Sequence, residues 1–257
     1  MSSRVAAPAS PVFDSHFHII DNRFPLVSNG GYVPDEFTAL DYLGRAAELG
    51  ITGGVVVSGS FQEFDRSYLF DALTALGPHF VGVLNIEKKT TDRGLTRLGN
   101  AGIRGVRFNL YRGGSAGLES IVKLGRRAWE VAGIHSEFYL DAQDLEDLEP
   151  VLALLPKVSI DHLGMTSANR EVLLRLVGRG VHVKATGFGR IDLDVVATVA
   201  QIHAENPTAL MFGTDLPSTR ARRPFHPNDI KILTEALPDG ARAALHDNGA
   251  AFYRVDR

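Results

Sequence analysis

Residues 12–20 read VFDSHFHII. The run is short and apolar, yet it carries Asp14, His16 and His18 at alternate positions. Side chains alternate across a strand, so a strand here puts these three on one face and Phe13, Ser15, Phe17 and Ile19 on the other. A strand buried on both sides of a parallel sheet is apolar on both faces. One made of carboxylate and imidazole on one side points instead to metal binding or proton transfer.

Seven further apolar runs follow, at 52–59, 80–87, 102–110, 135–142, 157–164, 180–188 and 209–215. Helical patterns separate them at 35–49, 68–76, 118–132, 145–154, 169–177 and 193–203. Gly50, Gly77, Gly133 and Gly180 stand where helix C-caps are expected. Eight such alternations in 257 residues match the size of a closed parallel (β/α)8 TIM barrel. An open doubly wound sheet also alternates, but the first strand–helix turn has no Gly-rich phosphate loop. The reading is an α/β barrel, one domain over 1–257, with 1–11 a flexible N-terminal segment. The stretch from 228 onward reads as two helical segments, broken at Pro238–Asp239–Gly240, that close the last unit and cap the barrel.

Composition narrows the function classes. Hydrophobic residues make up 44% and charged residues 22%, as in ordinary soluble domains. A net charge of −3 gives no reason to expect nucleic acid or a membrane surface as partner. With no cysteine, any metal must be held by His and carboxylate. The N-terminus, MSSRVAAPASP, lacks the apolar core of a signal peptide. No window approaches the roughly 18 apolar residues of a membrane span. A cytoplasmic protein with a small-molecule partner is expected, and a homo-oligomer is compatible with the chain.

In such barrels the reactive groups sit at the C-terminal ends of the strands. His16 and His18 come late in strand 1, Ser58 and Ser60 end strand 2, and Arg107 and Asn109 end strand 4. Asp161 and His162 end strand 6, Lys184 lies in strand 7 with Arg190 beyond, and Thr214 and Asp215 end strand 8. Strand 8 adjoins strand 1 in a closed barrel, so Asp215 is the natural third ligand beside His16 and His18. Zinc suits that donor set. The alternatives are hydrogen-bonded core histidines and, for Asp215, a helix cap or Asx-turn. Asp215 can deprotonate an attacking water. His162 can polarise a carbonyl or move a proton, or be a turn residue before Gly164. Arg107 and Arg190 can clamp a substrate carboxylate, although Arg190 can equally be an exposed loop residue. The basic run at 220–223 reads as a solvated loop, and the remaining histidines as structural or surface groups.

The motifs DSHFHI, GIRGVRFN, IDHLG, VKATG, FGTDLP and NGAAFYR, in that order, resemble the amidohydrolase superfamily. More narrowly they resemble its amidohydrolase-2 branch of pyrone-dicarboxylate hydrolases and sugar-acid lactonases. The resemblance runs from Phe13 to Arg254. It implies a barrel hydrolase of a small carboxylated lactone or related cyclic ester. Asp215 activates water there, His16, His18 and His162 bind or polarise the scissile carbonyl, and Arg107 holds a substrate carboxylate with Arg190 helping. Asn109, Ser58 and Tyr139 are the further substrate contacts expected. Metal-dependent relatives place a His at the top of strand 5, where this chain has Tyr139, Asp141 and Gln143. A second pattern arginine, six residues past Arg107, is replaced by Gly113, with Arg112 beside it. One divalent metal, zinc by ligand type, and a metal-free route both stay open. So does a second reaction, zinc-dependent decarboxylation of an aromatic or muconic acid, known in the same branch.

Overall fold

The computed structural model describes residues 11–112 and 118–255. Eight parallel strands run in sequence order: β1 Val12–Phe17, β2 Ile51–Val57, β3 Phe80–Leu84, β4 Ile103–Asn109, β5 His135–Tyr139, β6 Val158–Ile160, β7 His182–Ala185 and β8 Leu210–Phe212. Helices follow each strand: α1 Ala39–Leu49, α2 Ser67–Leu76, α3 Asp92–Asn100, α4 Leu118–Ala132, α5 Leu145–Leu152, α6 Arg170–Gly178, α7 Val195–Glu205 and α8 Asn228–Ala236. The segment 243–247 and α9 Asn248–Tyr253 end the fold. The TIM barrel expected from the alternation is the fold observed. Gly50, Gly77, Gly133 and Gly180 all have positive φ, as their capping positions require.

The seam between β8 and β1 is sewn just past the strands. Asp215 N–H donates to His16 O and His18 N–H to Leu216 O, both at 2.7 Å. Gly213 permits this approach, because a Cβ there would lie 2.8 Å from the His16 nitrogen. The start of the barrel is filled by Phe13, Val55, Val57, Val81, Val83 and Met211, with Tyr253 of α9 plugging it from below. Tyr253 stacks on Phe13 with ring centroids 6.2 Å apart. Among the described residues, no helix is long and apolar enough to cross a membrane.

Two expectations need correction. Asp14 does not share a face with His16 and His18. The β1–β2 register pairs Asp14 with Gly54 but Phe17 with Val56, so an extra residue sits between them as a bulge. Asp14 and Phe17 therefore both face α1, where Phe17 stacks on Tyr42 at 3.5 Å and the Tyr42 hydroxyl donates to Asp14. The second is α3, which the apolar pattern does not announce. It buries only Leu95 and Leu98 and contains two glycines, and the Thr91 hydroxyl caps it. Residues 1–10 of the expected flexible segment, and Gly113, lie outside the described residues.

Candidate active site

The strands end early, and the polar residues sit on their tips. β6 stops at Ile160 and β8 at Phe212, leaving Asp161, His162, Thr214 and Asp215 in the first turns beyond. His162 has φ 52° and Asp215 φ 61°, both in the left-handed region. Such conformations cost roughly 1–3 kcal/mol each and cluster at functional sites.

Six buried ionic groups form three pairs around the barrel axis. Lys184 Nζ lies 2.7 Å from Glu137 Oε2, Arg107 Nη2 donates to Asp161 Oδ2 at 2.9 Å, and Arg190 Nη2 donates to Asp215 Oδ2 at 2.5 Å. Arg190 Nε adds a second bond to the same Asp215 oxygen at 2.8 Å. Asp215 is fully buried, and that desolvation favours the neutral acid; the Arg190 charge and the facing imidazoles outweigh it and hold the carboxyl far below the usual carboxylate range.

This leaves Asp215 Oδ1 without a hydrogen bond. It faces two imidazoles, His16 Nε2 at 3.8 Å and His18 Nε2 at 3.6 Å. His18 donates from Nδ1 to Val57 O at 2.7 Å, which leaves its Nε2 bare. His162 closes the cluster, its ring 4.8 Å from His16 and 5.1 Å from Tyr139. Burial chiefly, opposed by Asp215, lowers the His162 pKa to about 3, so its ring is neutral.

The triad meets the distance test for one cation. Its three ligand atoms lie within 4.8 Å of one another. A tetrahedral ion with bonds of about 2.0–2.1 Å needs ligand separations only slightly shorter than the two His–Asp distances seen here. His16, Asp161 and His162 form a second such group. Nitrogen and carboxylate donors suit zinc.

Above this floor the recess is lined by arginine. Arg107, Arg112, Arg190 and Arg220 all border it, together with His18, Ser60, Asn109, Tyr139 and His162. Arg107 and Arg190 are paired as described, but Arg112 and Arg220 have no acidic partner among the described residues. Arg220 lies 4.5 Å over the Tyr32 ring and donates to Asn29 O. Arg222 and Arg223 of that loop are exposed, as expected, but the half-buried Arg220 brings a cation to the mouth. Only its three-dimensional return toward residues 29–32 places it there.

The other expected residues take these places. Arg190 is engaged with Asp215 and not exposed. Asn109 Oδ1 accepts from Arg112 N–H at 3.0 Å, which orders the start of the loop after β4. Ser58 does not line the recess; its carbonyl accepts from Arg107 Nη1 at 2.6 Å and so aims that guanidinium. Asp215 is no cap, because its side chain bonds Arg190 alone. Asp141 is one: Oδ1 accepts from Gln143 N–H and from Thr166 Oγ1.

The pattern of the Amidohydrolase family (Amidohydro_2) matches residues 13–255 of this chain. The 2-pyrone-4,6-dicarboxylate hydrolase of Comamonas testosteroni is 25% identical over 289 residues, spanning 96% of this chain and 94% of the relative. The 4-sulfomuconolactone hydrolase of Rhizobium radiobacter is 28% identical over 270 residues, spanning 95% and 90%. A crystal structure from Agrobacterium tumefaciens superposes with a TM-score of 0.86 at 22% identity, covering 97% of this chain and 98% of that one, a likeness of fold alone.

Proposed function

The chain belongs to the amidohydrolase family, and from that premise we propose that it hydrolyses a small carboxylated lactone or related cyclic ester. One observation carries the reading: two arginines without acidic partners among the described residues, Arg112 and Arg220, border a recess that His18, His162 and Arg190 also line, and those three side chains adjoin the buried Asp215 carboxylate. The six ionic groups beneath sum to zero, so the rim charges are left for the ligand. A substrate with more than one carboxylate matches them, since arginine binds carboxylate bidentately. Both relatives named above have an anionic, ring-containing compound or its hydrolysis in their names.

The chemistry follows from atom positions. A water on Asp215 Oδ1 is held between His16 and His18, directly below the ligand. Its oxygen attacks the ring carbonyl and its proton passes to Oδ1. The carbon–oxygen bond of the ring then breaks, and the leaving oxygen recovers that proton. Arg190 keeps Asp215 ionised and fixes its orientation through Oδ2. Arg107, its Nε without a partner, and the neutral His162 border the same space and stabilise the oxyanion. A single zinc-type ion, held by His16 Nε2, His18 Nε2 and Asp215 Oδ1, supplies Lewis-acid polarisation of the carbonyl when bound.

The test is a panel of neutral, monocarboxylated and dicarboxylated lactones, with and without chelator, followed by acid release. Ring opening that favours the carboxylated members supports the reading. Absence of ring opening across the panel overturns it, and release of carbon dioxide from aromatic or muconic acids assigns decarboxylation in its place.

A further inference from the structure

A second cleft opens at the other end of the barrel, beside the start of β4 and between the ends of α3 and α4. It has a volume of about 290 Å³ and is bordered by Asn100, Arg104, Ala132 and Arg254. Arg104 Nη1 donates to Gly99 O at 2.9 Å and to Ile103 O at 3.3 Å, and Arg254 Nη2 donates to Gly133 O at 2.7 Å. These bonds dress carbonyls at the C-terminal ends of α3 and α4, an ordinary task for arginine. They use one nitrogen of each guanidinium. Arg104 Nε is buried with no hydrogen-bond partner. It shares an edge of the planar fork with Nη2, which has no partner either among the described residues. An edge of two such N–H groups grips a carboxylate or phosphate bidentately.

Charge points the same way. Neither arginine has a carboxylate partner among the described residues. Burial first, and then the Arg254 charge, lower the Arg104 pKa from its ordinary value, and the same two causes act on Lys157. Burying a donor of a charged group without a partner is costly, and an anion from outside supplies both the missing acceptor and the missing charge. Small-molecule clefts begin at roughly 300 Å³, so this one suits a compact ion.

We propose that this cleft binds a small doubly charged oxoanion, phosphate or a short dicarboxylate, between the Arg104 Nε–Nη2 edge and the free nitrogens of Arg254. Two guanidinia without a counter-charge set the charge of the ligand. Asn100, whose amide makes no hydrogen bond among the described residues, adds a neutral donor at the rim. Arg104 and Arg107 stand three apart on β4, so they leave opposite faces of the sheet. Arg107 faces the barrel axis and Arg104 the helices, which separates this cleft from the recess and from the proposed reaction. The motifs GIRGVRFN and NGAAFYR each hold one of the two arginines. Their meeting is invisible in the sequence, because only the closed fold brings β4 and the end of α9 together.

Phosphate and succinate are titrated separately into the full chain labelled with nitrogen-15 on arginine. The resonance followed is the Arg104 Nε–H, identified by its loss in Arg104→Gln. A saturable shift with either anion supports the proposal, and the anion that acts decides which oxoanion the cleft prefers. No shift with either up to about 10 mM, well beyond millimolar affinity, overturns it. Arg254→Gln, a change at an exposed side chain, is expected to weaken the anion about 10- to 100-fold, the range for hydrogen bonds to a charged group. Arg112→Ala/Arg220→Ala at the recess is expected to leave the affinity unchanged. Equal affinity in Arg254→Gln, or loss of binding in the recess variant, overturns the assignment.

Discussion

Asp14 to Asn is the perturbation whose outcome the structure specifies most fully. The Asp14 carboxyl joins β1 to the turn after β8: Oδ1 accepts from Thr214 N–H at 2.8 Å and His16 N–H at 3.1 Å. Oδ2 accepts from Thr214 Oγ1 at 2.6 Å and Tyr42 OH at 3.1 Å. Full burial outweighs these four bonds and raises the pKa from 3.8 to about 6. A carboxyl raised in the folded state holds a proton that the unfolded chain has released, so stability falls as pH rises through that interval. At about 1.36 kcal/mol per pH unit, the full cost near pH 7.5 is about 3 kcal/mol. Roughly 1.4 kcal/mol of it develops between pH 5 and 7.5. An asparagine keeps the shape, accepts both backbone N–H groups through its oxygen, and donates to the two hydroxyl oxygens. Whatever fixed offset that exchange brings, it is the same at both pH values. Urea unfolding at pH 5 and 7.5 should therefore show the variant gaining about 1.4 kcal/mol on the wild type across the interval. An offset independent of pH refutes the reasoning.

Four further outcomes are expected. His162, neutral in the fold with a pKa near 3, contributes stability that is present above the unfolded value of 6.5 and is lost as pH falls below it; His162→Asn should remove about 2 kcal/mol of the pH dependence between 7.5 and 5, read by the same unfolding assay. Asp215→Asn should lower turnover about 10²- to 10⁴-fold while circular dichroism stays unchanged, and near wild-type turnover would exclude it as the base. Arg112→Ala and Arg220→Ala should each raise KM for dicarboxylated lactones and leave neutral ones unaffected, so a uniform rise would point to misfolding. Gly213→Ala forces a Cβ within 2.8 Å of the His16 nitrogen; its thermal unfolding should show a loss of about 1–3 kcal/mol.

Much of this site is legible in the sequence because local patterns report it directly. Period-2 apolar runs, glycine C-caps and polar residues at strand ends are properties of short segments. They suffice for a barrel and for His16, His18, His162 and Asp215 at one rim. Where the signal is thin, as in α3 with its two buried leucines, the pattern is silent. Where the backbone departs from ideal alternation, it misleads: the bulge after Asp14 turns that residue to α1, and nothing within nine letters encodes the extra residue.

By itself, then, the chain determined the architecture and the kinds of groups on the strand tips, since hydrophobic period and turn chemistry act between near neighbours. Which charge meets which was decided by closure of the barrel alone. The pairing of Arg190 with Asp215, the ammonium of Lys184 against His16, and the return of Arg220 to the mouth all join residues 25 to 191 positions apart. Ion pairing and hydrogen bonding depend on distances of a few ångströms, and those exist only once eight strands have curved back on the first.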